Sequence, residues 1–133
     1  MKTRIFLLVL LAVVLNACGA SPATELPPDN AQGPIYIDSA DLLILESFPI
    51  QLSLVVQGNL PTPCHLWHYE ITPANAQGQI HVSLYTTVDP AVTCMQVLHP
   101  FDETISIPLT GLPDGEYSVW LNGEQIGEFS YPG

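Results

Sequence analysis

The sequence predicts an all-β domain, an antiparallel β-sandwich of about seven strands, and three observations carry that expectation. Two stretches change between apolar and polar residues with a period of two. In the first, Ile50, Leu52, Leu54 and Val56 alternate with Gln51, Ser53, Val55 and Gln57; in the second, Ile80, Val82, Leu84, Thr86 and Val88 set the period. Asn122-Gly123 signals a type I′ hairpin, because both residues tolerate the positive φ that this turn demands. After the amino-terminal apolar run no stretch keeps apolar residues at helical spacing, and 13 prolines interrupt most candidates.

The chain begins with its only basic residues, Lys2 and Arg4, followed by an apolar run from Ile5 to Leu15 and small residues near a cut site. That three-part order is the form of an export signal. A spanning helix needs about 20 apolar residues, so the run is too short to be a lasting anchor. Leu15-Asn16-Ala17-Cys18 resembles the lipobox of bacterial lipoproteins. The resemblance implies that residues 1–17 are removed and that the Cys18 thiol carries a diacylglyceryl group. It also implies a place in the cell envelope, lipid-anchored on the extracytoplasmic side. Gly19 is not the aspartate associated with inner-membrane retention, so outer-membrane sorting is the default in a diderm and the outer face of the plasma membrane in a monoderm.

Residues 18–33 then read as the lipidated cysteine and a flexible tether, with three prolines and no periodicity. The sandwich is expected over residues 34–133. Ile35 to Asp38 and Leu42 to Glu46 form one interrupted first strand, and the strand of Ile50 to Gln57 ends at Gly58-Asn59-Leu60-Pro61. Cys64 to Ile71 is the third candidate. Pro73 to Gly78 supplies a turn before the strand beginning at Ile80, which Asp89 and Pro90 stop. A long connection, Ala91 to Glu103, follows. Ile105, Ile107 and Leu109 form the next strand, and Pro108 inside it suggests an edge position. Asp114-Gly115 turns into Tyr117, Val119 and Leu121, and Glu124 to Tyr131 returns as the last strand. Asn-Ala-Gln-Gly occurs at 30–33 and again at 75–78, too short to be a structural repeat.

Leu112-Pro113-Asp114-Gly115-Glu116-Tyr117-Ser118-Val119 resembles the Gly-x-Tyr-x-Val strand of immunoglobulin-like and fibronectin-like domains. The resemblance implies an immunoglobulin-like sandwich in which Tyr117 packs at a sheet corner and its hydroxyl bonds back to the main chain. With Cys18 taken by lipid, Cys64 and Cys94 remain, and in an oxidising compartment they are expected to pair. Two buried free thiols are the alternative.

Charge excludes whole classes of partner. Loss of the leader removes every lysine and arginine and keeps all 13 acidic residues, leaving a charge of about −13. Nucleic-acid binding is excluded, since phosphate contacts need Lys or Arg to displace counterions. Attraction to anionic lipid head groups is excluded for the same reason. Charged residues are only 11% of the chain, so the acidic field is diffuse and the surface reads first as well solvated.

Few constellations point to chemistry. On a strand, His65 and His68 fall on opposite faces and cannot share an ion without a bulge; His81 and His99 are remote in sequence and could approach either one, but no metal site is assigned. Calcium, through Asp38, Asp41 and Glu46 or through Asp102 and Glu103, is the most physical use for carboxylates without counter-charges, although no loop spacing specifies it. Ser83, Ser106 and Ser118 lie within strands and outside any nucleophile elbow, and no catalytic residues are assigned. Aromatics are the better lead: Trp67, Tyr69, Tyr85 and Trp120 are the candidate ligand-binding residues, for a protein or carbohydrate partner. Trp120 is out of phase with Tyr117, Val119 and Leu121, so it either faces outward or caps the sandwich edge. The expected function is a membrane-anchored extracytoplasmic binding module, not an enzyme. One alternative is a secreted-type protease inhibitor of immunoglobulin-like fold, though the Asn-Pro-Thr-Thr-Gly loop of chagasin-type inhibitors is absent. Another is a calcium-stabilised structural envelope lipoprotein.

Overall fold

The computed structural model describes residues 32–132. The leader, Cys18 and nearly all of the tether lie outside the described residues. Seven strands follow in order: β1 (Tyr36–Leu45), β2 (Gln51–Leu60), β3 (Leu66–Thr72), β4 (Gln79–Thr87), β5 (His99–Ile107), β6 (Gly115–Leu121) and β7 (Glu124–Tyr131). They form two facing sheets, β1-β2-β5 and β3-β4-β6-β7, with no helix among the described residues.

The period-two pattern decides which side chains meet between the sheets. Leu52, Leu54 and Val56 of β2 face Ile80, Val82 and Leu84 of β4, with Ile105, Ile107, Val119, Leu121 and Phe129 completing the core. Leu54, Val56 and Val119 are wholly buried. At about 25 cal/mol per Å² of apolar surface removed from water, each such side chain contributes about 1.5–3 kcal/mol.

Two boundaries differ from the sequence reading, each for a physical reason. β2 runs on through Gly58 to Leu60. A Cβ at Gly58 would run into the carbonyl oxygen of Tyr36, beside the β1 bulge between Ile37 and Ser39. The glycine therefore marks a close backbone approach inside a strand, not its end. The long connection closes at Leu98, because β5 starts at His99 and pairs with β2 along its whole length. Pro100, Asp102 and Glu103 hide the alternation there. Glu103 pairs with buried Val56 and so points inward, a device that discourages edge-to-edge association. β5 does hold the expected edge position, with Pro108 just beyond its end.

All pairings but one are antiparallel. β4 and β6 run parallel over a short contact, Gln79 beside Ser118 through Val82 beside Leu121. In the immunoglobulin arrangement the third strand neighbours the sixth; here the fourth lies between them. Burial accounts for the order. Ile80, Val82, Leu84 and Thr86 of β4 are all buried, whereas no residue of β3 is, so the more apolar strand takes the interior place.

Beyond Val82 the β6 side of β4 has no strand partner among the described residues, and two local devices fill it. Asn122 accepts from the Leu84 N–H (2.8 Å) and donates to the Leu84 carbonyl (3.0 Å), copying a strand neighbour with one side chain. Farther along, Gly33 exchanges both backbone hydrogen bonds with Thr86, whose hydroxyl donates to the Pro34 carbonyl. The chain thus enters on the four-stranded sheet and crosses to the other as β1. Asn122-Gly123 forms the expected hairpin, with φ of 48° and 88°. The Tyr117 hydroxyl donates to the Pro113 carbonyl at 2.7 Å, as the Gly-x-Tyr-x-Val resemblance implies.

Candidate functional site

Register sorts the four candidate aromatics into two pairs. Trp67 and Tyr69 oppose the buried Thr86 and Leu84, so both sit on the inner face of the edge strand β3. Their rings stack with centroids 5.9 Å apart, and Trp67 packs against the core while Tyr69 is 46% exposed. Tyr85 and Trp120 occupy the other face of the same sheet, turned away from the core. Trp120 therefore does not cap the core edge.

On that outer face each aromatic has a histidine beside it. Trp120 neighbours His81 across the parallel β4–β6 contact, with ring centroids 5.9 Å apart and planes inclined by 34°. Tyr85 opposes His68 across β3–β4, at 5.5 Å and 30°. Each of these four side chains is half-buried, with the rest of its ring open to solvent. Their polar atoms are partly held: the Trp120 indole N–H donates to the Ser118 hydroxyl at 3.0 Å, and a His68 ring nitrogen meets the Thr87 hydroxyl at 2.8 Å. The Tyr85 hydroxyl donates to Glu70 Oε1 at 3.4 Å. Partial burial, and then the Glu70 carboxylate, raise the Tyr85 phenol above its ordinary value of 10.0.

The arrangement offers flat π surfaces fixed by neighbours on rigid strands, with hydroxyl and carboxylate groups between them. Ser83 and Glu70 oppose each other, as do Ser118 and Glu128. Such a surface can stack on an apolar ring face while accepting and donating hydrogen bonds around it. His68, His81 and Glu70 were not singled out as neighbours of the aromatics by sequence. Trp120 carried a readable signal, being out of phase with Tyr117, Val119 and Leu121, and Tyr85 stands in the same relation to buried Ile80, Val82, Leu84 and Thr86.

The other candidates are kept apart. His65 lies ahead of β3 and meets the Thr62 hydroxyl through Nδ1 at 2.8 Å, so the two histidines of that segment do not converge. Asp38 accepts from Asn59 and Asp102 from Gln57, both at 2.8 Å. No group of three metal-ligating side chains forms among the described residues. Cys64 and Cys94 are joined as a disulfide with Cα atoms 6.0 Å apart, tying the β4–β5 loop to the segment before β3. An apolar mouth of about 370 Å³ opens at the opposite end of the sandwich, between Ile71, Pro108, Leu112 and Tyr117. Its phenol is committed to Pro113 and the Asn75 amide to Gln79, which leaves Thr110 as the other polar side chain of the lining.

The family model of the ORF11 β-sandwich domain matches residues 54–131, from within β2 to the end of β7. The match spans more than half of the 133 residues, and the chain belongs to this family. No curated protein and no solved structure matches it.

Proposed function

We propose that this member of the ORF11 β-sandwich family is a lipid-anchored, extracytoplasmic binding module whose recognition surface is the outer face of the four-stranded sheet. It acts by binding and not by turnover. The observation that supports this reading is the paired display of Tyr85 with His68 and Trp120 with His81 on one solvent-facing surface. A sheet face needs none of these rings for stability, because the core lies on its other side. Exposed aromatics with fixed geometry lose little conformational entropy on contact and bury large area, which is why they dominate binding surfaces. The absence of lysine and arginine after Cys18 directs the partner class toward neutral polysaccharide or a basic or neutral protein, and away from polyanions.

The anchor follows from the Lys2-to-Cys18 pattern and is tested by mass spectrometry of the chain recovered from membranes, which should show a diacylglyceryl-modified Cys18. Recognition is tested by capture from an envelope fraction. The mature chain should retain a component that Tyr85→Ala/Trp120→Ala loses by about tenfold or more, since each hot-spot aromatic is worth about 2 kcal/mol. Capture that is unchanged in this double variant would overturn the reading.

A further inference from the structure

One corner of the sandwich is apolar, carries a single carboxylate and is covered by nothing among the described residues. It consists of the β4–β5 loop, residues 88–98, and the segment that the disulfide joins to it. Met95 is 71% exposed, Leu66 65%, Leu98 59% and Val97 51%. The loop is nevertheless fixed. Cys94 is bonded to Cys64, the Asp89 side chain accepts from the Ala91 N–H, and the Val97 N–H donates to the Met95 carbonyl. Apolar side chains held outward on a braced loop are not explained by packing.

Charge is distributed accordingly. Residues 59–69 carry no Asp, Glu, Lys or Arg, only His65 and His68, and residues 87–100 carry only Asp89 and His99, in a chain with 13 carboxylates. The same end receives the incoming chain. Gly33 is hydrogen-bonded to Thr86, one residue before the end of β4, so the described chain joins the domain at this end. A Cβ at Gly33 would come within 2.7 Å of the Thr86 hydroxyl, which makes this entry point a close backbone contact.

We infer that this disulfide-braced end rests on a lipid bilayer surface, with the β4–β5 loop as its contact. The inference builds on the lipid anchor proposed above, because fifteen residues from Cys18 to Gln32 link the acylated thiol to this end and no other. The contact is apolar, so it suits zwitterionic lipid; the acidic chain is repelled by anionic head groups. It also orients the domain. The strand axes stand away from the bilayer, leaving the outer sheet face and the far end, with Phe48, open to a partner.

The test uses the chain from residue 18 onward, which keeps every described strand, both acylated and as Cys18→Ser. Each form carries Val97→Trp or, at the opposite end, Phe48→Trp, a position that is fully exposed. With native Trp67 and Trp120 replaced by phenylalanine in every form, tryptophan emission is read on phosphatidylcholine vesicles with and without brominated acyl chains. Quenching of the added tryptophan is expected for Val97→Trp and not for Phe48→Trp. In the Cys18→Ser chain, Met95→Asp/Val97→Asp should weaken vesicle partitioning by about tenfold. Flotation of the acylated chain without quenching at position 97 overturns the contact and leaves the anchor standing. Quenching at 97 in Cys18→Ser, when native Cys18 proves unacylated, supports the contact and overturns the anchor. Equal quenching at 48 and 97 overturns the orientation.

Discussion

Removing the Cys64–Cys94 bridge should cost the domain a definite and separable amount of stability. The bridge joins residues 30 apart and encloses the whole β3–β4 hairpin. On the chain-entropy relation, a loop of that size removes about 12 cal/mol/K from the unfolded chain, or about 3.6 kcal/mol at 25 °C. Both cysteines are half-buried at the surface, so alanine in their place leaves no sealed cavity and adds little packing loss. Cys64→Ala/Cys94→Ala should therefore lose about 3–4 kcal/mol in urea unfolding, against a total of about 5–15 kcal/mol for a small domain. The denaturant slope should rise, because the unbridged unfolded chain exposes more surface. Amides of the β4–β5 loop should exchange freely while those of β2 and β4 keep their protection. A loss below about 1 kcal/mol would refute the reasoning, by showing that the unfolded chain is already constrained without the bridge.

Other consequences follow from single side chains. Asn122→Ala strips both partners from the Leu84 backbone and should cost about 2–4 kcal/mol in the same unfolding assay. Asn122→Gly, which keeps the turn geometry, should show most of that loss; no loss would mean that water replaces the side chain. Tyr117→Phe removes the bond to the Pro113 carbonyl and should cost about 1 kcal/mol, read as a lowered thermal midpoint. Tyr85 should ionise above 10.0 in an ultraviolet titration, and Glu70→Gln should bring it back toward that value. Because its folded value is the higher one, its contribution to stability is present below the unfolded value near 10 and falls as pH rises through the raised one.

Much of the architecture was readable because burial imposes a two-residue period. Leu52, Leu54, Val56 and Ile80, Val82, Leu84 announce their inward faces directly, and Asn122-Gly123 announces its hairpin through allowed dihedral angles. Where a strand carries exceptions the pattern fails. Pro100, Asp102 and Glu103 conceal the first half of β5, and Gly58 reads as a stop although it fits the β1 bulge. Strand order was less accessible still, since it depends on which of two adjacent strands buries more. That comparison places β4 inside β3 and creates the parallel contact with β6.

The candidate site shows the same division between local and non-local information. Alternation alone sets Tyr85 outward, because its neighbours on either side are core residues. It gives no warning that His81 lies beside Trp120, which requires the β4–β6 register. Nor does it part Trp67 and Tyr69 from the other two aromatics until Thr86 and Leu84 are known to oppose them. The disulfide was legible by counting thiols, but the apolar surface it braces becomes visible only when nothing among the described residues is found packed over Met95 and Leu98.

Hydroxyl-radical footprinting of the aromatic side chains, with residues 18–133 alone and then bound to whatever the proposed envelope capture retains, tests the proposed recognition face most directly. Binding through the outer sheet face predicts that oxidation of Trp120 and Tyr85 falls several-fold while Tyr69, on the inner face of β3, reacts as before. Protection of Tyr69 and Trp67 with Trp120 and Tyr85 unchanged would contradict it.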